Sequence, residues 1–130
     1  MDMGAIRRGL ALGTAVLTAS GLLAVAGPAV GDASAAALCS GRKMRTLTFS
    51  TGRVDVHKKR GYVCAVTSPE KVGARRYMMV SVQARGSERV PNAGRFTRYA
   101  GPLRVHAGHR CVRIGGAVGS GSVGTGWILC

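Results

Sequence analysis

Polar and apolar residues alternate along most of this chain after residue 38, with the two-residue period of strands that bury one face. Leu47 and Phe49 alternate with Thr46, Thr48 and Ser50, and Val54 and Val56 with Arg53, Asp55 and His57. Met78, Val80 and Val82 alternate with Tyr77, Met79, Ser81 and Gln83, and Leu103 and Val105 with Arg104 and His106. Tyr62-Val63-Cys64-Ala65-Val66-Thr67 is apolar and β-branched enough to predict a central strand. Cys111-Val112-Arg113-Ile114, Trp127-Ile128-Leu129-Cys130 and a weaker run around Phe96 complete a set of about eight short strands. Turn-forming residues fall between the runs at Gly52, Arg60-Gly61, Ser68-Pro69, Gly73, Gly86-Ser87, Pro91-Asn92, Gly101-Pro102 and Ala107-Gly108. No helical period competes. The expected fold is all-β, a small antiparallel sandwich or barrel. The stretch Gly115 to Gly126 holds six glycines in twelve residues and predicts a long flexible hairpin loop.

The beginning of the chain follows another rule. Arg7 and Arg8 precede an uncharged apolar run from Leu10 to Gly27. Pro28, Gly31 and Asp32 break that run ahead of Ala33-Ser34-Ala35, the small-x-small shape a signal peptidase accepts. Residues 1–35 therefore read as a signal peptide cut after Ala35, with Ala36 and Ala37 as alternative positions, and 36–130 as one secreted domain. A retained membrane anchor fits less well, because the flank after the run is small and polar rather than basic. Leu38 before Cys39 is too large for a lipoprotein site. Arg7-Arg8 keeps a twin-arginine route open beside the ordinary secretory one.

All four cysteines (Cys39, Cys64, Cys111 and Cys130) follow the export segment, and an even set in a short exported domain reads as a disulfide framework. Four cysteines allow three connectivities. The sequential one, Cys39 with Cys64 and Cys111 with Cys130, is preferred because each pair closes a compact piece of chain. In the chain-entropy description each such bridge contributes roughly 3–3.5 kcal/mol. That matters in a domain whose apolar residues are mostly small.

Charge narrows the partners. Export would remove Arg7, Arg8, Asp2 and Asp32, leaving 17 of the 19 Lys and Arg against Asp55, Glu70 and Glu88, so the net charge stays at +14. In that domain arginine outnumbers lysine 13 to 4, and guanidinium groups bind phosphate and carboxylate bidentately. Such a charge draws polyanions and makes their binding sensitive to salt. Lys58, Lys59, Arg60, Arg75, Arg76, Arg95 and Arg98 are the candidate anion-binding residues, the last four interleaved with Tyr77, Phe96 and Tyr99. Outside a cell the candidate polyanions are cell-wall polymer, anionic lipid, acidic polysaccharide and released nucleic acid, and an anionic cell-wall or spore-surface polymer is the natural partner. A nucleic-acid module is disfavoured, because six aromatics must also supply the core.

Four strings carry a resemblance: Tyr62 to Thr67, Met79-Val80-Ser81-Val82, Tyr99-Ala100-Gly101-Pro102-Leu103-Arg104-Val105, and Gly108-His109-Arg110-Cys111-Val112-Arg113-Ile114-Gly115-Gly116. With the terminal Gly126-Trp127-Ile128-Leu129-Cys130, their order and spacing resemble the spore-associated protein A family, small secreted proteins of filamentous, spore-forming bacteria. The resemblance spans nearly the whole domain. It implies secretion, two bridges and association with the surface of spores or aerial hyphae, and it brings no catalytic residues. The chain departs from the family at Ile114, where an aromatic residue is expected, and in having no His before the last cysteine.

The remaining constellations are weak. Asp55 and His57 share a strand face, as an acid orienting a general base would, but no strained Gly-x-Ser-x-Gly turn supplies a nucleophile, and an exposed pair is the simpler expectation. His106, His109 and Cys111 hint at a metal, yet Cys111 is better used in a disulfide. Gly119 to Gly124 fits Gly-x-Gly-x-x-Gly but leaves no room for the helix and acid that a nucleotide site requires. No cofactor, metal, small-molecule substrate or enzymatic activity is expected, nor a transmembrane anchor after processing. Two alternatives stand beside a surface-held basic protein. One is a secreted binding module such as a protease inhibitor, presenting Ser87 to Gly94 as its loop. The other is a cationic antimicrobial.

Overall fold

The computed structural model describes residues 38–130, so the signal-peptide reading and its alternative cuts lie outside the described residues. Eight strands follow in order: β1 (Arg42–Phe49), β2 (Gly52–Lys59), β3 (Tyr62–Pro69), β4 (Arg76–Ala84), β5 (Val90–Phe96), β6 (Ala100–His106), β7 (Val112–Val118) and β8 (Gly121–Gly124). They form two four-stranded antiparallel sheets, β1-β2-β3-β6 and β5-β4-β7-β8. β6 lies against β4 and β5, β3 against β4 and β7, and β1 against β8, which makes a sandwich. Among the described residues no helix is long and apolar enough to cross a membrane.

The alternation decides what is buried. Val54, Val56, Val63 and Ala65 point inward from the first sheet, and Met78, Val80, Val82, Ile114 and Val118 from the second. Valine supplies most of this core, with Met78 and Ile114 its largest fully buried side chains. Thr67 fastens the sheets, its buried hydroxyl donating to the Met79 carbonyl at 2.9 Å. Both bridges form in the sequential pairing, Cys39–Cys64 and Cys111–Cys130. A second, smaller apolar cluster of Cys39, Cys64 and Val66, with Leu38 and Tyr99 packed on it, shields the outer face of the first sheet.

Three local expectations are corrected. Gly115 to Gly126 is not a long flexible loop, because β7 runs on through Val118 and β8 returns after a two-residue turn that begins at Gly119 (φ 60°). Glycine serves close approach there. A Cβ on Gly116 would run into Val54 and Thr67, and one on Gly121 into Thr51 and Ser50. Trp127 to Cys130 is not a strand. Ile128 makes one antiparallel bridge with Val112, and Leu129 then leaves the extended region at φ 57°. Pro91 and Pro102, expected in turns, lie within β5 and β6. Both are edge strands, where a missing N–H leaves no ladder partner unsatisfied.

Candidate anion-binding surface

The hairpin between β2 and β3 turns through Arg60 (φ 53°) and Gly61 (φ 82°). Two successive left-handed residues make the tight turn whose twist matches the flanking strands. Its consequence is a cationic tip. Lys59 and Tyr62 face each other across the ladder, with Lys58 opposite Val63. β6 adds its own outward residues beside β3, placing Arg104 opposite Cys64 and His106 opposite Tyr62. The Cys39–Cys64 bridge holds Ser40 over the same ground. The result is an open depression of about 430 Å³ lined by Ser40, Lys59, Arg60, Tyr62, Cys64 and Arg104. A neighbouring one of about 440 Å³ shares Arg60 and adds Lys58, His106 and His109. Tyr62 is 46% exposed, and its ring meets His106 edge-on with centroids 4.9 Å apart.

The other candidate arginines gather at the opposite end of the sandwich. β4 begins where β5 ends, with Arg76 opposite Phe96 and Tyr77 opposite Arg95. Arg75 Nη1 donates to the Arg95 carbonyl at 3.3 Å, and Arg95 Nη2 donates to that of Arg75 at 3.5 Å. These two, with Phe96, Thr97, Arg98 and Tyr99, line a depression of about 310 Å³. Arg76 does not join them. Its guanidinium donates to the Lys71 carbonyl at 3.0 Å and to that of Ala74 at 3.5 Å, so it fastens the β3–β4 loop. The seven residues are therefore not one site. Three lie at one end and three at the other, with Arg76 serving structure.

Arg104, Tyr62 and Ser40 belong to the first depression and were not singled out in the sequence. The alternation around Leu103 and Val105 already turned Arg104 outward. What no local pattern contains is that β6 pairs with β3. None of these three depressions is lined by a carboxylate.

Asp55 and His57 share a face as the spacing requires, but they are buried, at 1% and 5% exposure, rather than an exposed pair. Asp55 accepts from Thr46 Oγ1 at 3.0 Å and Arg53 Nε at 3.1 Å, and Lys43 Nζ lies 3.2 Å away. Burial pushes its carboxyl up, but the Thr46 and Lys43 hydrogen bonds and the charges of Lys43 and Arg53 outweigh this and hold it below the usual carboxylate range. Burial pulls the His57 imidazole below its ordinary value, against the opposing pull of Asp55. Nδ1 of His57 has no hydrogen-bond partner among the described residues, so Asp55 does not orient this ring. Asp55 forms a structural ion network with Lys43 and Arg53, and His57 is not bonded into it.

Other candidates resolve likewise. Cys111 is bonded to Cys130, and among the described residues no three His, Cys, Asp or Glu side chains come together as a metal site. Gly119 to Gly124 forms the β7–β8 turn and β8. Val90 to Gly94, expected within an inhibitory loop, is strand β5 paired along β4. Trp127 lies beneath two guanidinium groups, Arg113 at 4.2 Å and Arg85 at 5.4 Å from the ring centroid. Comparison of the chain with protein families, curated proteins and solved structures returns no match.

Proposed function

We propose that this is a small, basic, non-enzymatic secreted protein, held at the cell or spore surface by contacts to anionic wall polymer. The observation that carries the reading is the hairpin end, where Lys59, Arg60 and Arg104 surround the exposed Tyr62 ring in a depression that no carboxylate lines. Of the three acids in the domain, Asp55 is buried with cations of its own, and Glu70 and Glu88 lie outside these depressions. Open, shallow, cationic ground suits a flexible polyanion better than a small substrate, which a deep apolar pocket would enclose. Two disulfides are the chemistry of an oxidising compartment and agree with export. The resemblance to spore-associated protein A supports the surface location.

Fractionation of the natural protein tests this reading. It should sediment with walls or spores in low salt and elute when salt is raised. Protein found wholly in low-salt medium, with none released from walls by salt, would overturn it.

A further inference from the structure

We infer that the domain is bivalent, with two cationic ends that take separate anionic chains and cross-link them. This rests on the polymer-binding reading above. Lys58, Lys59 and Arg60 stand at the hairpin end and Arg75, Arg95 and Arg98 at the other. β3 spans the distance between them with eight residues. At about 3.3 Å per residue that is about 25 Å. The Debye length at physiological ionic strength is only about 8 Å, so each end acts as a site of its own.

Between the ends the cations are spread over both sheets rather than gathered into one patch. On the first sheet, Lys43 and Arg53 share the single Asp55 carboxylate, and Arg45 is exposed on β1. On the second, Ser81 and Ala117 are buried, and Arg89, which reaches the Met79 sulfur at 3.9 Å, lines a depression there with Arg113. The frame is also stiff, fastened by two disulfides and the Thr67 hydrogen bond between sheets. The two ends therefore cannot fold onto one short stretch of polymer. Each holds phosphate or carboxylate groups of a chain independently, and at high polymer density a second chain is the nearest ligand for the second end.

Two pools of long-chain inorganic polyphosphate, one donor-labelled and one acceptor-labelled, test this with polymer in excess over protein. Energy transfer reports two chains on one protein, and anisotropy reports binding itself. The natural protein should give transfer. The variant Lys58→Gln/Lys59→Gln/Arg60→Asn should lose it at least about tenfold while binding falls by less, and so should Arg75→Gln/Arg95→Gln/Arg98→Gln. A third variant, Lys59→Gln/Arg60→Asn/Arg98→Gln, removes the same charge but keeps two cations at each end, Lys58 with Arg104 and Arg75 with Arg95, where the first variant leaves Arg104 alone at the hairpin end, and it should keep the transfer. The first variant changes only an exposed turn and the strand end beside it, so it decides the matter even if the Arg75–Arg95 contacts prove necessary for folding. Binding without transfer in the natural protein, or transfer that follows net charge regardless of position, overturns cross-linking. Absence of any binding overturns the polymer reading instead.

Discussion

Asp55 is the one acid this basic domain buries, and its surroundings explain why it is tolerated. A hydroxyl, a guanidinium and an ammonium group meet its two oxygens. Asp55→Asn removes the charge that Lys43 and Arg53 answer to, and should lower stability by about 1–3 kcal/mol in urea unfolding. Its carboxyl is depressed in the fold, so its contribution is complete above the ordinary carboxylate range and is lost as pH falls through the folded value. His57 has the same sign for a different reason. Burial depresses its imidazole, so the unfolded chain takes up the proton first, and stability drops as pH falls below about 6.5. The denaturation midpoint should thus fall in two steps on acidification, and His57→Gln should abolish only the upper one. A midpoint that rises between about pH 7 and pH 5 would contradict this. The spacing of these two residues placed them on one face, as observed. Their burial was illegible, because the Leu38–Cys39 segment and Tyr99 reach that face from distant parts of the chain.

Strands were the most legible level, because a period of two needs only neighbouring residues to be seen. The failures came where a residue type has two physical uses. Gly116 in β7 and Gly121 in β8 looked like flexibility and are instead clearance. Gly116→Ala drives a methyl into Val54 and Thr67 and should cost about 1–3 kcal/mol. Gly124→Ala meets nothing within 4 Å. It should change stability by less than about 0.5 kcal/mol. Equal costs at both positions would show that packing is not what selects glycine in this hairpin. Proline in β5 and β6 was misleading in the same way, since an edge strand tolerates what a central one refuses. The cysteines were read more securely, because compact loop closure favours one pairing and the fold adopts it. Removing Cys39–Cys64 as a double serine variant should lower stability by about 2–4 kcal/mol, measured against the natural protein under non-reducing conditions.

At the scale of the molecule, composition gives a net charge of +14 and the sandwich decides how that charge is presented. Strand direction sends Lys58–Arg60 to one end and Arg75, Arg95 and Arg98 to the other, a separation that no reading of local charge runs contains. The hairpin end also recruits Arg104 from β6, which makes it the stronger candidate for holding polymer. The decisive measurement is the affinity of the natural protein for purified anionic wall polymer as salt is raised from about 50 to 200 mM. The binding constant should fall linearly on a double-logarithmic plot, and the triple substitution at Lys58, Lys59 and Arg60 should reduce the magnitude of the slope by about 2. Affinity indifferent to salt, or a slope that the triple substitution leaves unchanged, would contradict the account.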